Sequence, residues 1–312
     1  VAATRDPEKP WLLFVSWVCP HFPLTAPQRF FDLYPPENMP LPKLYARDER
    51  PAHPYVRDYA GSFCYDDHFK GEAHVLKAVS SYYALCSFLD YNIGQVLRAL
   101  ESAGLAESTN ILYTSDHGDN LGSRGLWGKS TLYEEAAKVP MILAGPDVSA
   151  GVVRDAPVSH LDCYPTFLEC AGEQLTKAEQ TFPSTSLFEL AAGAEPERTL
   201  LCEYHGMGSP TGAFMIREGQ YKYVHYVGYP PQLFDLAADP EEEVDLGTDP
   251  AHEAIRAICE VKLRSICDPE DVNRRAKARQ AEQLARHGGR AAVIERGDLG
   301  YSPPPGVAGD FQ

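Results

Sequence analysis

Thr109-Asn110-Ile111-Leu112-Tyr113-Thr114-Ser115-Asp116-His117-Gly118-Asp119 is the stretch that decides the fold. Thr109–Ser115 reads as a strand, and a carboxylate and an imidazole follow at its carboxyl end. Upstream, Val75, Val79, Tyr82, Cys86, Leu89, Ile93, Val96 and Leu100 step by three and four. That spacing predicts one amphipathic helix over Glu72–Ser102, with Gly104 as its stop. Val139–Ala144 reads as a second strand and His160–Ala171 as a helix closed by Gly172. At the other end, the apolar run Trp11–Val18 predicts a buried strand that ends at Pro20-His21-Phe22-Pro23. Strands alternating with helices predict an α/β sheet with both faces covered. Ligands of such sheets collect at the carboxyl ends of strands, where His21 and Asp116 both fall.

The pattern changes after about residue 185. Leu200–Tyr204, Ala213–Arg217 and Tyr221–Tyr226 are short strands, and Glu218-Gly219 predicts a hairpin turn between the last two. Helices follow at His252–Cys267 and Glu270–His287, giving a smaller α+β subdomain. The organisation expected is an α/β domain over 1–185, the subdomain over 186–268, and a helical tail with a Pro-rich end over 269–312. The basic residues Arg274, Arg275, Lys277, Arg279, Arg286 and Arg290 gather in that tail. Pro303-Pro304-Pro305-Gly306 excludes helix or central strand.

The 312 residues include 28 Lys and Arg against 44 Asp and Glu, a net charge of −16. That balance argues against nucleic acid and against acidic membrane surfaces as partners. No apolar run reaches the length of a membrane span. The eight cysteines form no C-x-x-C pair, so buried free thiols in a reducing compartment, and hence a cytoplasmic location, are expected. Val1–Lys9 has no signal-peptide layout and runs directly into an apolar strand, which reads as an N-terminally truncated sequence.

Three features carry chemistry. Asp116 and His117 can ligate one divalent cation, and Gly118 lets the backbone turn away. Lys129 lies in the Gly- and Trp-containing loop Arg124-Gly125-Leu126-Trp127-Gly128-Lys129 and can bind an anionic oxygen. His21, held between two prolines, can donate to a substrate oxygen or act as an acid. Each also has an ordinary structural explanation when taken singly.

Taken in order, the motifs resemble the sulfatase family of the alkaline phosphatase superfamily. The resemblance rests on Pro20-His21-Phe22-Pro23, Thr114-Ser115-Asp116-His117-Gly118-Asp119, Gly125-Leu126-Trp127-Gly128-Lys129, Leu132-Tyr133-Glu134-Glu135 and Val158-Ser159-His160-Leu161-Asp162. Glu203-Tyr204-His205-Gly206, Arg217-Glu218-Gly219-Gln220-Tyr221-Lys222-Tyr223 and Leu233-Phe234-Asp235 extend it toward choline-sulfatase-like enzymes and phosphonate monoester hydrolases. The fold implied is an alkaline-phosphatase-like α/β mixed sheet covered by helices, with the smaller C-terminal α+β subdomain.

The resemblance implies hydrolysis of a small-molecule sulfate ester. It implies a formylglycine nucleophile made from Cys or Ser in C-x-P-x-R, and one divalent metal: calcium, manganese or magnesium. Asp116 and His117 would be metal ligands. Arylsulfatases more often carry Asp-Asn there, so the Asp-His pair leaves calcium versus manganese open. Lys129 would contact the sulfate and the leaving oxygen, and His21 would serve the leaving group. Asp119 and Arg124 would orient the metal-binding turn. Glu203, His205 and Trp127 would lie near the substrate, with Tyr204 or Trp127 able to sit against a quaternary ammonium. His160 reads as a structural hydrogen-bonding residue. The tail would take part in homo-oligomer contacts.

Neither C-x-P-x-R nor S-x-P-x-R occurs in the chain, and the acidic pair of the family's first strand has no counterpart. Cys163-Tyr164-Pro165-Thr166-Phe167 comes nearest, but it ends in Phe and follows the metal motif, so it reads as a helix start. The expectation is that these 312 residues do not complete the reaction alone. A phosphonate or phosphate ester hydrolase of the same fold is the first alternative, and a non-catalytic binding protein that keeps the pocket is the second. A two-zinc phosphatase would need ligands that His53, His68 and His74 do not provide, because they lack H-x-x-x-H spacing.

Overall fold

A computed structural model describes residues 6 and 9–297. The Pro-rich end at 303–306 and most of the segment before Lys9 lie outside the described residues. The helices are α1 (Gln28–Phe31), α2 (Pro54–Phe63), α3 (Glu72–Ser102), α4 (Glu134–Ala137), α5 (Cys163–Cys170), α6 (Leu187–Ala192), α7 (Glu253–Ile266), α8 (Pro269–Arg286) and α9 (Gly289–Arg296). The strands are β1 (Ile111–Thr114), β2 (Met141–Ala144), β3 (Leu200–Tyr204), β4 (Ala213–Glu218), β5 (Tyr221–Tyr226) and β6 (Gln232–Asp235). None of the described helices is long and apolar enough to cross a membrane.

The long helix α3 spans the predicted range, and its buried face is concentrated in its first half, at Val75, Val79, Ala84 and Leu85. Pro at the first helical position starts α2 and α8, where the missing N–H costs nothing. A capping box at Ser159 and Asp162 opens the turn that leads into α5. Cys163 is therefore a helix-start residue. Asp162 is fully buried, and Arg198 grips it through two bonds of 2.6 and 2.8 Å.

Strands β3-β4-β5-β6 form one antiparallel sheet in that order. Its side chains alternate faces with period two. Phe214, Ile216, Tyr223 and Leu233 pack on Cys259 and Leu263 of α7. Ala213, Val224, Tyr226 and Phe234 face the other way, onto Tyr55, Val56 and Tyr59 of α2 and onto Leu126, Leu132 and Tyr133. That second cluster unites residues from both sides of position 185. Each large side chain removed from water this way contributes about 1.5–3 kcal/mol.

Three expectations need correction. Trp11–Val18 is not a strand: no described strand pairs with it, and Leu12, Phe14 and Val18 are 68%, 83% and 77% exposed. Apolar residues alone do not make a strand when the ladder has no neighbour. Secondly, among the described residues β1 pairs with β2 alone, antiparallel, from Ile111 opposite Ala144 to Thr114 opposite Met141. Its residues are half-buried rather than enclosed on both faces. Thirdly, the eight cysteines are all unpaired, but only Cys259 is buried.

Candidate active site

The end of β1 delivers Ser115-Asp116-His117 into a turn fixed from both sides. His160 Nε2 donates to the Ser115 carbonyl at 2.7 Å. Gly118 N–H donates to the Ala136 carbonyl of α4 at 2.9 Å. A Cβ on Gly118 would lie 2.0 Å from the Glu135 carbonyl oxygen, so glycine is required for this close approach. His117 Nδ1 donates to the Gly118 carbonyl at 2.8 Å, because a carbonyl can only accept. Its other ring nitrogen, Nε2, lies 3.4 Å from Asp116 Oδ2.

A carboxylate oxygen and an imidazole nitrogen are both donor types that a divalent cation takes. Two ligands about 2.1–2.5 Å from one ion at a right angle are about 3.0–3.5 Å apart. The Asp116–His117 spacing therefore fits two neighbouring positions on one ion. Among the described residues no group of three or more His, Cys, Asp or Glu assembles around a metal position, so the pair is a partial donor set. Asp116 is open to solvent, at 85% exposure of its side chain.

Lys129 is built into the neighbouring loop. It stands between Gly128 and Ser130, both at positive φ (66° and 78°). Asn120 donates to the Gly128 carbonyl through N–H and Nδ2, both at 2.7 Å. Buried Tyr59 donates its hydroxyl to the Lys129 carbonyl at 2.8 Å. Asp119 Oδ1 accepts from Leu121 N–H at 2.8 Å and Gly128 N–H at 3.0 Å, tying the metal-type turn to the lysine loop. Burial raises the Asp119 pKa, and the two backbone N–H groups and the nearby His117 and His21 work against that rise.

These restraints bring Lys129 Nζ to 2.6 Å from His21 Nε2. His21 Nδ1 donates to the Phe22 carbonyl at 2.6 Å, so Nε2 accepts from the lysine. The His21 and His117 ring centroids are 6.5 Å apart. Both X–Pro bonds of the His21 turn, Cys19–Pro20 and Phe22–Pro23, are cis.

The other predicted residues lie elsewhere or act indirectly. Arg124 is buried behind the loop, bonded to Glu135 at 2.9 Å and to the carbonyls of Glu241 and Glu242 at 2.6 and 2.8 Å. Its guanidinium lies 3.9 Å over the Tyr133 ring. Trp127 packs on Val75 and Val79, and Phe69 stacks on it at 4.5 Å, so it is a core side chain. Glu203 and His205 are 3.6 Å apart at the end of β3. No hydrogen bond, ion pair or ring contact among the described residues joins either to His21, Lys129, Asp116 or His117. Tyr59, Asn120 and the carbonyl-bonding His160 shape the site without having been singled out as site residues. Only tertiary contact reveals Tyr59, and Asn120 has the ordinary look of a turn residue.

The chain is similar to known proteins in sequence and in fold. Residues 1–173 match the family model described as Sulfatase, and residues 122–268 match N-sulphoglucosamine sulphohydrolase, C-terminal. The chain is 35% identical to the choline-sulfatase of Rhizobium meliloti (strain 1021) over 245 residues, covering 78% of this chain and 48% of that protein. It is 32% identical to arylsulfatase K of Mus musculus over 239 residues, covering 74% of this chain and 42% of that one. The chain thus spans about half the length of the curated relatives it matches. Among solved structures, a phosphonate monoester hydrolase from Silicibacter pomeroyi superposes with a TM-score of 0.69 at 27% identity. That match covers 79% of this chain and 53% of the other.

Proposed function

Since the chain belongs to the sulfatase family, we propose that it supplies the leaving-group side and part of the metal-binding side of an active site that hydrolyses a small-molecule sulfate monoester. The observation that carries this reading is the 2.6 Å contact of Lys129 Nζ with His21 Nε2, formed beside the Asp116–His117 pair. An ammonium has three N–H donors. One is committed to His21, and the other two are available for oxygens of a bound sulfuryl group.

Cleaving a sulfate monoester builds negative charge on the departing oxygen. Donors already in place stabilise that charge without reorganising. Lys129 holds a proton at Nζ and contributes a full positive charge. His21 holds Nδ1–H on Phe22 and keeps the lysine pointed into the site. Asp119 and Asn120 keep the loop from relaxing away. Asp116 and His117 would hold a divalent cation, which when bound supplies Lewis-acid stabilisation of a sulfuryl oxygen. The imidazole in that pair favours a manganese-type ion over calcium, whose shells are built from oxygen ligands. The nucleophile motif C-x-P-x-R does not occur in residues 1–312.

A second reading, hydrolysis of a phosphonate monoester, is favoured by the similarity to the Silicibacter pomeroyi enzyme. Both substrates present a tetrahedral anion and a departing oxygen to the same residues. Parallel assays of the full-length protein on an aryl sulfate and an aryl phosphonate monoester separate the two. The expected result is faster turnover of the sulfate, lost in Lys129→Met. Turnover of the phosphonate alone, or of neither, would overturn the assignment.

A further inference from the structure

Lys222 on β5 is 1% exposed. Lysine is almost never buried to this extent without a partner. It lies on the sheet face of Val224 and Tyr226, and its ammonium meets two carboxylates: Glu134 Oε1 at 3.0 Å and Glu242 Oε1 at 2.8 Å. Glu242 is itself enclosed, and its second oxygen accepts the Glu134 N–H at 2.7 Å, which caps the first turn of α4. Beside it, Glu135 pairs with Arg124 at 2.9 Å and with Lys43 at 2.7 Å. A helix of four residues is thus held by buried charge at its first two positions.

That helix is where the candidate metal turn rests. The Ala136 carbonyl of α4 receives Gly118 N–H at 2.9 Å, and the Gly118 carbonyl receives His117 Nδ1 at 2.8 Å. One residue, Gly118, therefore connects the placement of α4 to the orientation of the His117 ring. Such buried ion pairs contribute little net stability, because desolvation offsets their attraction. What they do enforce is a position.

We propose that Lys222 is a positioning residue for His117, acting through Glu134, Glu242, α4 and Gly118. Only the chemical purpose of His117 rests on the sulfate-ester reading; the mechanical link does not.

The test uses the 15N-labelled 312-residue chain. Lys222→Met combined with Glu242→Gln removes the buried pair and leaves of its partners only Glu134, whose side chain reaches solvent. Expected are amide exchange at Gly118 at least about tenfold faster and altered 15N shifts of the His117 ring. Exchange in β1 and the melting temperature stay at their wild-type values. Lys222→Arg with native Glu242 restores slow Gly118 exchange. Should the double variant not fold, Glu134→Gln cuts the same link from its more exposed side and is expected to give the same selective loosening. Unchanged Gly118 exchange in a folded variant, or equal acceleration of all amides, would overturn the proposal. In the full-length protein, Mn²⁺ affinity of the double variant is expected to fall about 10–100-fold. Selective loosening at Gly118 in a protein without sulfate turnover would keep the positioning role and remove the sulfate-ester reading.

Discussion

Lys129 Nζ and His21 Nε2 meet at 2.6 Å although 108 residues separate them in the chain. Each partner is restrained from behind, the histidine by the Phe22 carbonyl and the lysine loop by Asp119, Asn120 and Tyr59. The pair is therefore a property of two fixed loops. It is the feature from which the proposed chemistry follows.

Asp119 is the joint between those loops. Asp119→Ala strands two N–H donors, those of Leu121 and Gly128. A loss of about 1–3 kcal/mol per buried donor is expected. Thermal denaturation measures it. Asp119→Asn keeps an acceptor oxygen and is expected to lose less.

Gly118 and Gly128 should respond differently to alanine. At Gly118 the new Cβ meets the Glu135 carbonyl at 2.0 Å, so the turn must move off α4. A cost of about 1–3 kcal/mol and displaced His117 resonances are expected. At Gly128 there is open space but φ is +66°, so only the backbone penalty of about 1–2 kcal/mol applies. Melting curves and histidine NMR of the two variants check the contrast.

Arg198→Ala leaves the buried Asp162 carboxylate without its cation. The two bonds of 2.6 and 2.8 Å disappear, as does the 2.7 Å bond from Arg198 to the Pro157 carbonyl ahead of the Ser159 turn. About 3–5 kcal/mol of stability should go. Arg198→Lys keeps the charge but not the two-pronged geometry and should fall between.

The packing of α7 and α8 on β5 should weaken in acid. Glu260 is pulled down to about 2, first by its hydrogen bond from His225 and also by bonds from Tyr223 and Arg264. Glu270 is pulled down to about 2, first by Arg264. Both carboxylates sit below their unfolded pKa near 4.5, so their contribution is fully present above that pH. It is lost as pH falls from about 4.5 toward about 2. Melting temperature measured between pH 6 and pH 2 should decline over that window, and Glu260→Gln should flatten the decline.

Chelation followed by metal addition tests the Asp116–His117 pair. In full-length protein, Mn²⁺ is expected to restore more activity than Ca²⁺, and His117→Asn should narrow or reverse that preference. An unchanged preference in His117→Asn would remove the imidazole from the ligand set.

The parts of the fold that sequence reveals are those governed by local period. The three- and four-residue steps of Val75 to Leu100 mark α3 from end to end, and Leu200–Tyr204 and Tyr221–Tyr226 are β3 and β5 as read. Asp116 and His117 are legible as a pair because they are neighbours in the chain. Trp11–Val18 misleads because a strand depends on a ladder partner that no local pattern contains. Lys222 is hidden for a related reason. A polar residue between Tyr221 and Tyr223 reads as the wet side of an alternating strand, yet this sheet is covered on both faces and the lysine is enclosed. Trp127 shows the converse: a tryptophan in a functional loop, placed in the core by Phe69 and α3.

The most direct test is a double-mutant cycle on the His21–Lys129 contact, with aryl sulfate turnover of the full-length protein as the readout. Single variants His21→Gln and Lys129→Met are each expected to lose about 10²–10³-fold in kcat. The double variant should be no slower than the poorer single, because residues acting as one unit lose their joint effect at the first substitution. Losses that multiply in the double variant would show two independent groups and contradict the account.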